Sequence, residues 1–229
     1  MGARHARGGA ITIRGVRVVD VDTQYGPARA HLRPADEAVG SLILGHGAGG
    51  GVTARDLVAA TDAALSERFT VALVEQPYRV AGRRSPAPAG QLDAAWVAVV
   101  EHLAGVGLVG QPLIAGGRSA GARVACRTVT ETGASALLCL AFPLHPPGRP
   151  EKSRQAELDA VRVPVLVVQG GRDPFGVPTP GRNRRVVTVA ANHGLSTDLG
   201  AVKAAVRNWL AERAAPDAAA TRTAAPRAR

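Results

Sequence analysis

Lysine is nearly absent from this chain: Lys152 and Lys203 are the only two in 229 residues. Arginine therefore carries the positive charge, and the net of +10 is spread over loops and both ends, Arg4, Arg7, Arg222, Arg227 and Arg229 included. Aromatic residues make up 3%, too few for the stacking platform that binds single-stranded nucleic acid. Weak adhesion to polyanions at low salt is expected, and specific nucleic-acid recognition is not. No apolar run approaches the roughly 20 residues that cross a bilayer, so no helical membrane span is expected. Met1 to Ala10 has no apolar stretch of the signal-peptide kind, which predicts a cytoplasmic location. Cysteine is scarce too. Cys126 and Cys139 lie in apolar segments without metal-ligand spacing. Two buried free thiols are expected, with no metal and no cofactor.

What the chain does have is a 46% apolar content, enough for one large core without staples. Residues 1–213 read as a single domain, and 214–229, made of Ala, Pro, Thr, Asp and Arg, as a disordered tail. Short apolar runs alternate with helical patterns. Strands are predicted at Val16–Val21, Ala28–Arg33, Ser41–Leu44, Thr70–Val74, Pro112–Ala115, Ala136–Phe142, Val163–Val168 and Arg185–Val189. Helices are predicted at Thr53–Arg68, Leu92–Leu103, Ala120 to about Thr130, Glu151–Val161 and Asp198–Arg213. On the first of these, Leu57, Val58, Ala64 and Leu65 form the apolar side. Apolar strands alternating with helices predict an α/β fold, a doubly wound, mostly parallel sheet sandwiched by helices. Ligands in such sheets bind at the carboxyl ends of the strands.

Three loops at those ends carry chemistry. Gly117-Arg118-Ser119-Ala120-Gly121 is a G-x-S-x-G between a strand and a helix. In that setting a sharp turn presents the Ser119 hydroxyl at the start of a helix, where free N–H groups favour a developing oxyanion. The alternative is an ordinary glycine-rich turn. Asp173 follows the apolar run Val163–Val168, and His193 follows the next strand. Alone, the first reads as a turn residue and the second as a loop histidine. Together, the order Ser119, Asp173, His193 places nucleophile, acid and base on one sheet edge. The backbone N–H groups of Ala120 and Ala48 are the expected oxyanion donors, the latter from the loop His46-Gly47-Ala48-Gly49-Gly50-Gly51. That loop lacks the Gly-Lys-Ser/Thr of a phosphate cradle.

With those residues in place the chain resembles the alpha/beta hydrolase superfamily, and within it the small dienelactone-hydrolase-like and testis-expressed-protein-like hydrolases. The resemblance runs from about Leu42 to Leu210. It rests on Gly45–Gly50, Arg83–Pro88, Gly116–Ala125, Phe142–Gly148 and Gln169–Gly176. It implies Ser119 as nucleophile, Asp173 as acid and His193 as base. One departure is local: such hydrolases tend to have an acidic residue before the base and Ser-Phe after it, whereas here Asn192 precedes and Gly194-Leu195 follow. Between His145 and Pro164 there is room for one loop and one short helix, so little or no lid and an open, shallow site are expected.

Arg118 has two readings. It is an elbow residue making a structural ion pair, or, with Arg79, Arg83 or Arg172, it draws in a substrate bearing carboxylate or phosphate. His145 either lines the pocket or hydrogen-bonds its own turn, and His46 braces the glycine-rich loop. The expected activity is hydrolysis of a carboxylic ester, thioester or lactone of a small substrate through an acyl-enzyme. Peptidase or acyltransferase chemistry is a variant on the same triad. The alternative class is a hydrolase-fold scaffold that binds partner proteins without turnover, as the resemblance to the hydrolase-like domain of a nonspecific-lethal chromatin complex subunit allows.

Overall fold

The computed structural model describes residues 11–13 and 15–214. The strands are β1 (Ile11–Ile13), β2 (Val16–Thr23), β3 (Gly26–Arg33), β4 (Gly40–Gly45), β5 (Phe69–Glu75), β6 (Leu113–Arg118), β7 (Ala136–Leu140), β8 (Val165–Gly170) and β9 (Arg184–Val189). The helices are α1 (Arg55–Ser66), α2 (Pro77–Val80), α3 (Ala89–Gly105), α4 (Ala120–Arg127), α5 (Val129–Thr132), α6 (Gln155–Asp159) and α7 (Leu199–Ala214). The nine strands form one sheet in the order β1-β2-β3-β5-β4-β6-β7-β8-β9. β1, β2, β3 and β5 pair antiparallel in succession, and every pair from β5–β4 through β8–β9 is parallel.

Alternation along the strands sends side chains to two cores. Ile43, Ala115, Leu137, Cys139, Val165 and Val167 meet α3 and α4 through Trp96, Val99, Leu103, Val124 and Ala125. Leu42, Leu44, Ile114, Leu138, Leu166 and Val168 meet α1 and α7 through Leu57, Ala60, Ala64, Val206 and Trp209. Both faces of the sheet are thereby covered, as a parallel sheet requires.

Several elements depart from the sequence pattern. Val58, assigned to the apolar side of α1, is 41% exposed. The helix predicted over Ala120–Thr130 breaks at Thr128 into α4 and α5, and that over Glu151–Val161 is a 3-10 turn at Pro150–Lys152 followed by α6. The last helix runs on through Ala214, the first residue of the predicted tail. The rest of that tail, like Met1–Ala10, lies outside the described residues.

Strand order and register set the site. β4 lies between β5 and β6, so the chain winds away from it in both directions and the loops after β4 and β6 face each other across a crevice. Gly45 pairs with Gly117, Arg118 with Leu140, Leu140 with Val168, and Gly170 with Val189. The loops that follow these residues leave the same edge at the same height. Between β7 and β8 the chain carries only the 3-10 turn and the five residues of α6, and among the described residues no lid stands over the edge.

Candidate active site

β6 delivers Ser119 into a turn with φ 52° and ψ −110° before α4 begins at Ala120. A side chain in that region of backbone space is strained, and it persists because both sides are tied down. The Ser119 N–H donates to the Leu140 carbonyl (2.9 Å), and its carbonyl accepts from Arg123 N–H (3.3 Å).

The three residues singled out by the sequence meet. Ser119 Oγ lies 3.0 Å from His193 Nε2, and His193 Nδ1 lies 2.8 Å from Asp173 Oδ2. A carboxylate can only accept, so the proton sits on Nδ1 and leaves Nε2 free to take one from the serine. Asp173 is buried. Its Oδ1 accepts from the Phe175 N–H (2.8 Å), and the Phe175 ring lies against the imidazole with centroids 4.2 Å apart. Asn192, standing where the resemblance leads one to expect an acid, makes the local turn: its Oδ1 accepts from Gly194 N–H (3.0 Å).

The loop after β4 is pinned by its carbonyls. Gly47 O accepts from His46 Nδ1 (2.8 Å) and Gly50 N–H (3.2 Å), and Ala48 O from the Tyr78 hydroxyl (3.0 Å). Gln76 N–H in turn donates to His46 Nε2 (3.1 Å). His46 therefore braces the loop as a neutral ring, and burial pushes its pKa down. The N–H groups of Ala48 and Ala120 meet no protein acceptor among the described residues. Gly47 is close to the serine: a Cβ there would lie 3.5 Å from Ser119 Cβ and 2.6 Å from Arg118 Nη1.

Arg118 is largely committed elsewhere. Its Nε donates to Asp56 Oδ2 (2.9 Å) and its Nη2 to the His193 carbonyl (3.3 Å). Asp56 is wholly buried, and desolvation pushes its carboxyl up against the opposing pull of the Arg118 guanidinium. The charge assigned to substrate attraction is thus matched within the protein. His145 Nδ1 donates to the Pro146 carbonyl (2.9 Å) and its ring packs on Gly176, a contact within its own loops and not with the triad. Among the described residues no three His, Cys, Asp or Glu side chains gather as metal ligands, and no helix is long and apolar enough to cross a membrane. Asp56, Gln169 and Phe175 are the site residues that the sequence did not reveal. Asp56 reads there as an ordinary acid in a first helical turn, and Gln169 as a loop residue just past an apolar strand that the structure extends to Gly170.

A family model of the alpha/beta hydrolase domain matches residues 38–194. The chain belongs to the alpha/beta hydrolase superfamily. Among solved structures, the fold is similar to a lidless alpha/beta serine hydrolase from Xanthomonas campestris, at 20% identity over 88% of this chain and 98% of that one, TM-score 0.67. It is also similar to Est1E from Butyrivibrio proteoclasticus, at 18% identity over 86% and 98%, TM-score 0.70. A third neighbour is EstE1, a thermophilic carboxylesterase from a metagenomic library, at 16% identity over 90% and 91%, TM-score 0.65. None of the curated proteins matches the sequence. In this superfamily fold the edge that holds Ser119, His193 and Asp173 is the one on which strand order reverses, the place a ligand site is expected.

Proposed function

We propose that the protein is a serine hydrolase that cleaves a carboxylic ester, thioester or lactone of a small substrate through an acyl-enzyme on Ser119. The observation that carries this reading is the unbroken relay from Ser119 Oγ to His193 (3.0 Å) and on to Asp173 (2.8 Å). Ser119 Oγ attacks the carbonyl carbon while His193 Nε2 takes its proton. The ring then gives that proton to the departing alcohol or thiol. Water repeats the sequence on the acyl-enzyme and frees the acid. Asp173 holds the imidazole in the tautomer required and stabilises its charged form. Ala48 and Ala120, with N–H groups unspent, are the donors for the tetrahedral oxyanion. With no lid over the edge among the described residues, water reaches the site readily, which suits short acyl groups and not interfacial lipids.

A carboxylate-bearing acyl group suits the site through Arg79 more than Arg118. Arg79 has no carboxylate partner among the described residues, and its Nη2 lies 3.9 Å from where a Cβ on Gly51 would stand.

Labelling with a fluorophosphonate probe tests the central reading. Folded wild type takes up the probe and Ser119→Ala does not. Failure of the folded wild type to label overturns the proposal in favour of a non-catalytic scaffold. A panel of short p-nitrophenyl esters, thioesters and lactones then identifies the preferred class, and p-nitrophenyl acetate against the p-nitrophenyl half-ester of succinate tests the preference for a carboxylate.

A further inference from the structure

Gln169 stands at the end of β8, wholly buried, and its amide has more acceptors than protons. Nε2 lies 2.8 Å from Asp173 Oδ2, 2.9 Å from the Gly176 carbonyl and 3.1 Å from the Phe142 carbonyl. All three are oxygens that accept only, so the orientation of the amide is fixed: turned over, Oε1 would face three electron-rich oxygens without a proton among them. In the orientation adopted, Oε1 is itself buried without a partner. A buried carbonyl oxygen left unpaired destabilises the fold. An apolar side chain of the same length would avoid that penalty, so the return on this amide must lie in what Nε2 holds.

What it holds is the acid of the triad. Asp173 comes three residues after β8 ends, in a turn where its own N–H bonds Gly170 O (3.1 Å) and its carbonyl accepts from Gly176 N–H (3.0 Å). Within that turn a single backbone N–H restrains the carboxylate: that of Phe175 fixes Oδ1 from one side. On Oδ2 the His193 Nδ1–H arrives at 2.8 Å, and Gln169 fills the other lone-pair direction at the same distance. We propose that Gln169 is a positioning residue for the hydrolase: it holds the Asp173 carboxylate in the one rotation that keeps Oδ2 against His193 Nδ1. By bonding Phe142 O and Gly176 O as well, it sets the loops after β7 and β8 in the same act. This role deepens the serine-hydrolase reading and rests on it for its kinetic consequence, since misplacing a reacting group by about an ångström costs up to about a hundredfold in rate.

The test combines kinetics with proton NMR on the full chain. Gln169→Met, of equal length and with no donor, is expected to lower kcat for p-nitrophenyl acetate by about tenfold to a hundredfold with KM changed less than about threefold. The hydrogen-bonded Nδ1 proton of His193 should move upfield or broaden. A variant with unchanged kcat and an unmoved Nδ1 proton, whatever its melting temperature, overturns the proposal. If Gln169→Met does not fold, wild type decides alone. Two protons aimed at the same Asp173 oxygen must show a nuclear Overhauser contact between Gln169 Nε2–H and His193 Nδ1–H, and the absence of that contact overturns the role. Because the NMR arm needs no turnover, a wild type that resists the fluorophosphonate probe yet shows the contact separates loss of the hydrolase reading from loss of this one.

Discussion

Asp56 and Arg118 are bound to each other by burial. The Asp56 side chain is 1% exposed, Arg118 is its only ion-pair partner among the described residues, and the pair sits between α1 and the nucleophile. Removing one member of such a pair leaves an uncompensated buried charge and costs about 3–5 kcal/mol. Arg118→Met should therefore lose about that much stability at neutral pH. The sign of its pH dependence follows from the Asp56 carboxyl, which burial already holds above its ordinary value. A carboxyl raised on folding binds its proton more tightly in the folded state, so stability falls as pH rises through the raised pKa and returns as pH is lowered. Losing the guanidinium raises that pKa further. Urea unfolding of Arg118→Met at about pH 7 and about pH 4 should show the deficit shrinking with acid relative to wild type. A deficit of equal size at both values would mean that Asp56 is not its cause. The elbow position of Arg118 was visible in the sequence, but its partner was not. Asp56 lies far away in the chain, and nothing local distinguishes it from a solvated acid near a helix start.

Among the elements, α4 and β4 approach each other more closely than any side chain allows. A Cβ on Gly121 would stand 2.5 Å from Gly45 O, 2.6 Å from Gly45 C and 2.9 Å from His46 O, all backbone atoms with no rotamer to yield. Gly121→Ala must push α4 off the loop that carries Ala48. Overpacking of this kind costs about 1–3 kcal/mol or more, and the displacement separates the two oxyanion donors. The urea midpoint should fall, and the probe-labelling rate of the folded fraction should fall further, by about a hundredfold. A variant that labels at the wild-type rate would sink the assignment of Ala48 and Ala120 as paired donors. This close approach also accounts for the strand ends that sequence misplaces. β6 is predicted to stop at Ala115 and β8 at Val168, yet they run to Arg118 and Gly170. The glycines there look like turn residues, but they continue the strands, because neighbouring backbone occupies the space of their side chains. Gly170 is the same case, since a Cβ on it would lie 2.4 Å from Asn192 O, in the loop that brings His193 to the edge. The alternation of apolar runs with helical patterns, which depends only on local periodicity, was legible. The hairpin β1–β2 was not, its first strand being three residues long.

At the scale of the whole molecule, the core on the α3–α4 side runs without a break from Val21 to Val167 and encloses both cysteines. Cys126 projects from α4 and Cys139 from β7, with their sulfurs 3.7 Å apart and both thiols free. The hydrogen bond with Cys139 and then burial push the Cys126 thiol well above its ordinary pKa. The thiolate is the reactive form, so two barriers stand between Cys126 and a thiol reagent, the missing charge and the intact core, and the core encloses Cys139 as well. Neither yields to local motion unless α4 lifts from the sheet, and α4 carries the turn that holds Ser119. Reaction with a disulfide reagent should accordingly be slower in the native protein than in urea by about a thousandfold or more, the ratio set by global unfolding of a domain of ordinary stability. Both thiols should become reactive across one transition that coincides with loss of helical circular dichroism. Reactivity of Cys126 at urea concentrations well below that transition would show α4 opening on its own, and the strained serine would then rest on a mobile element and not on a fixed one.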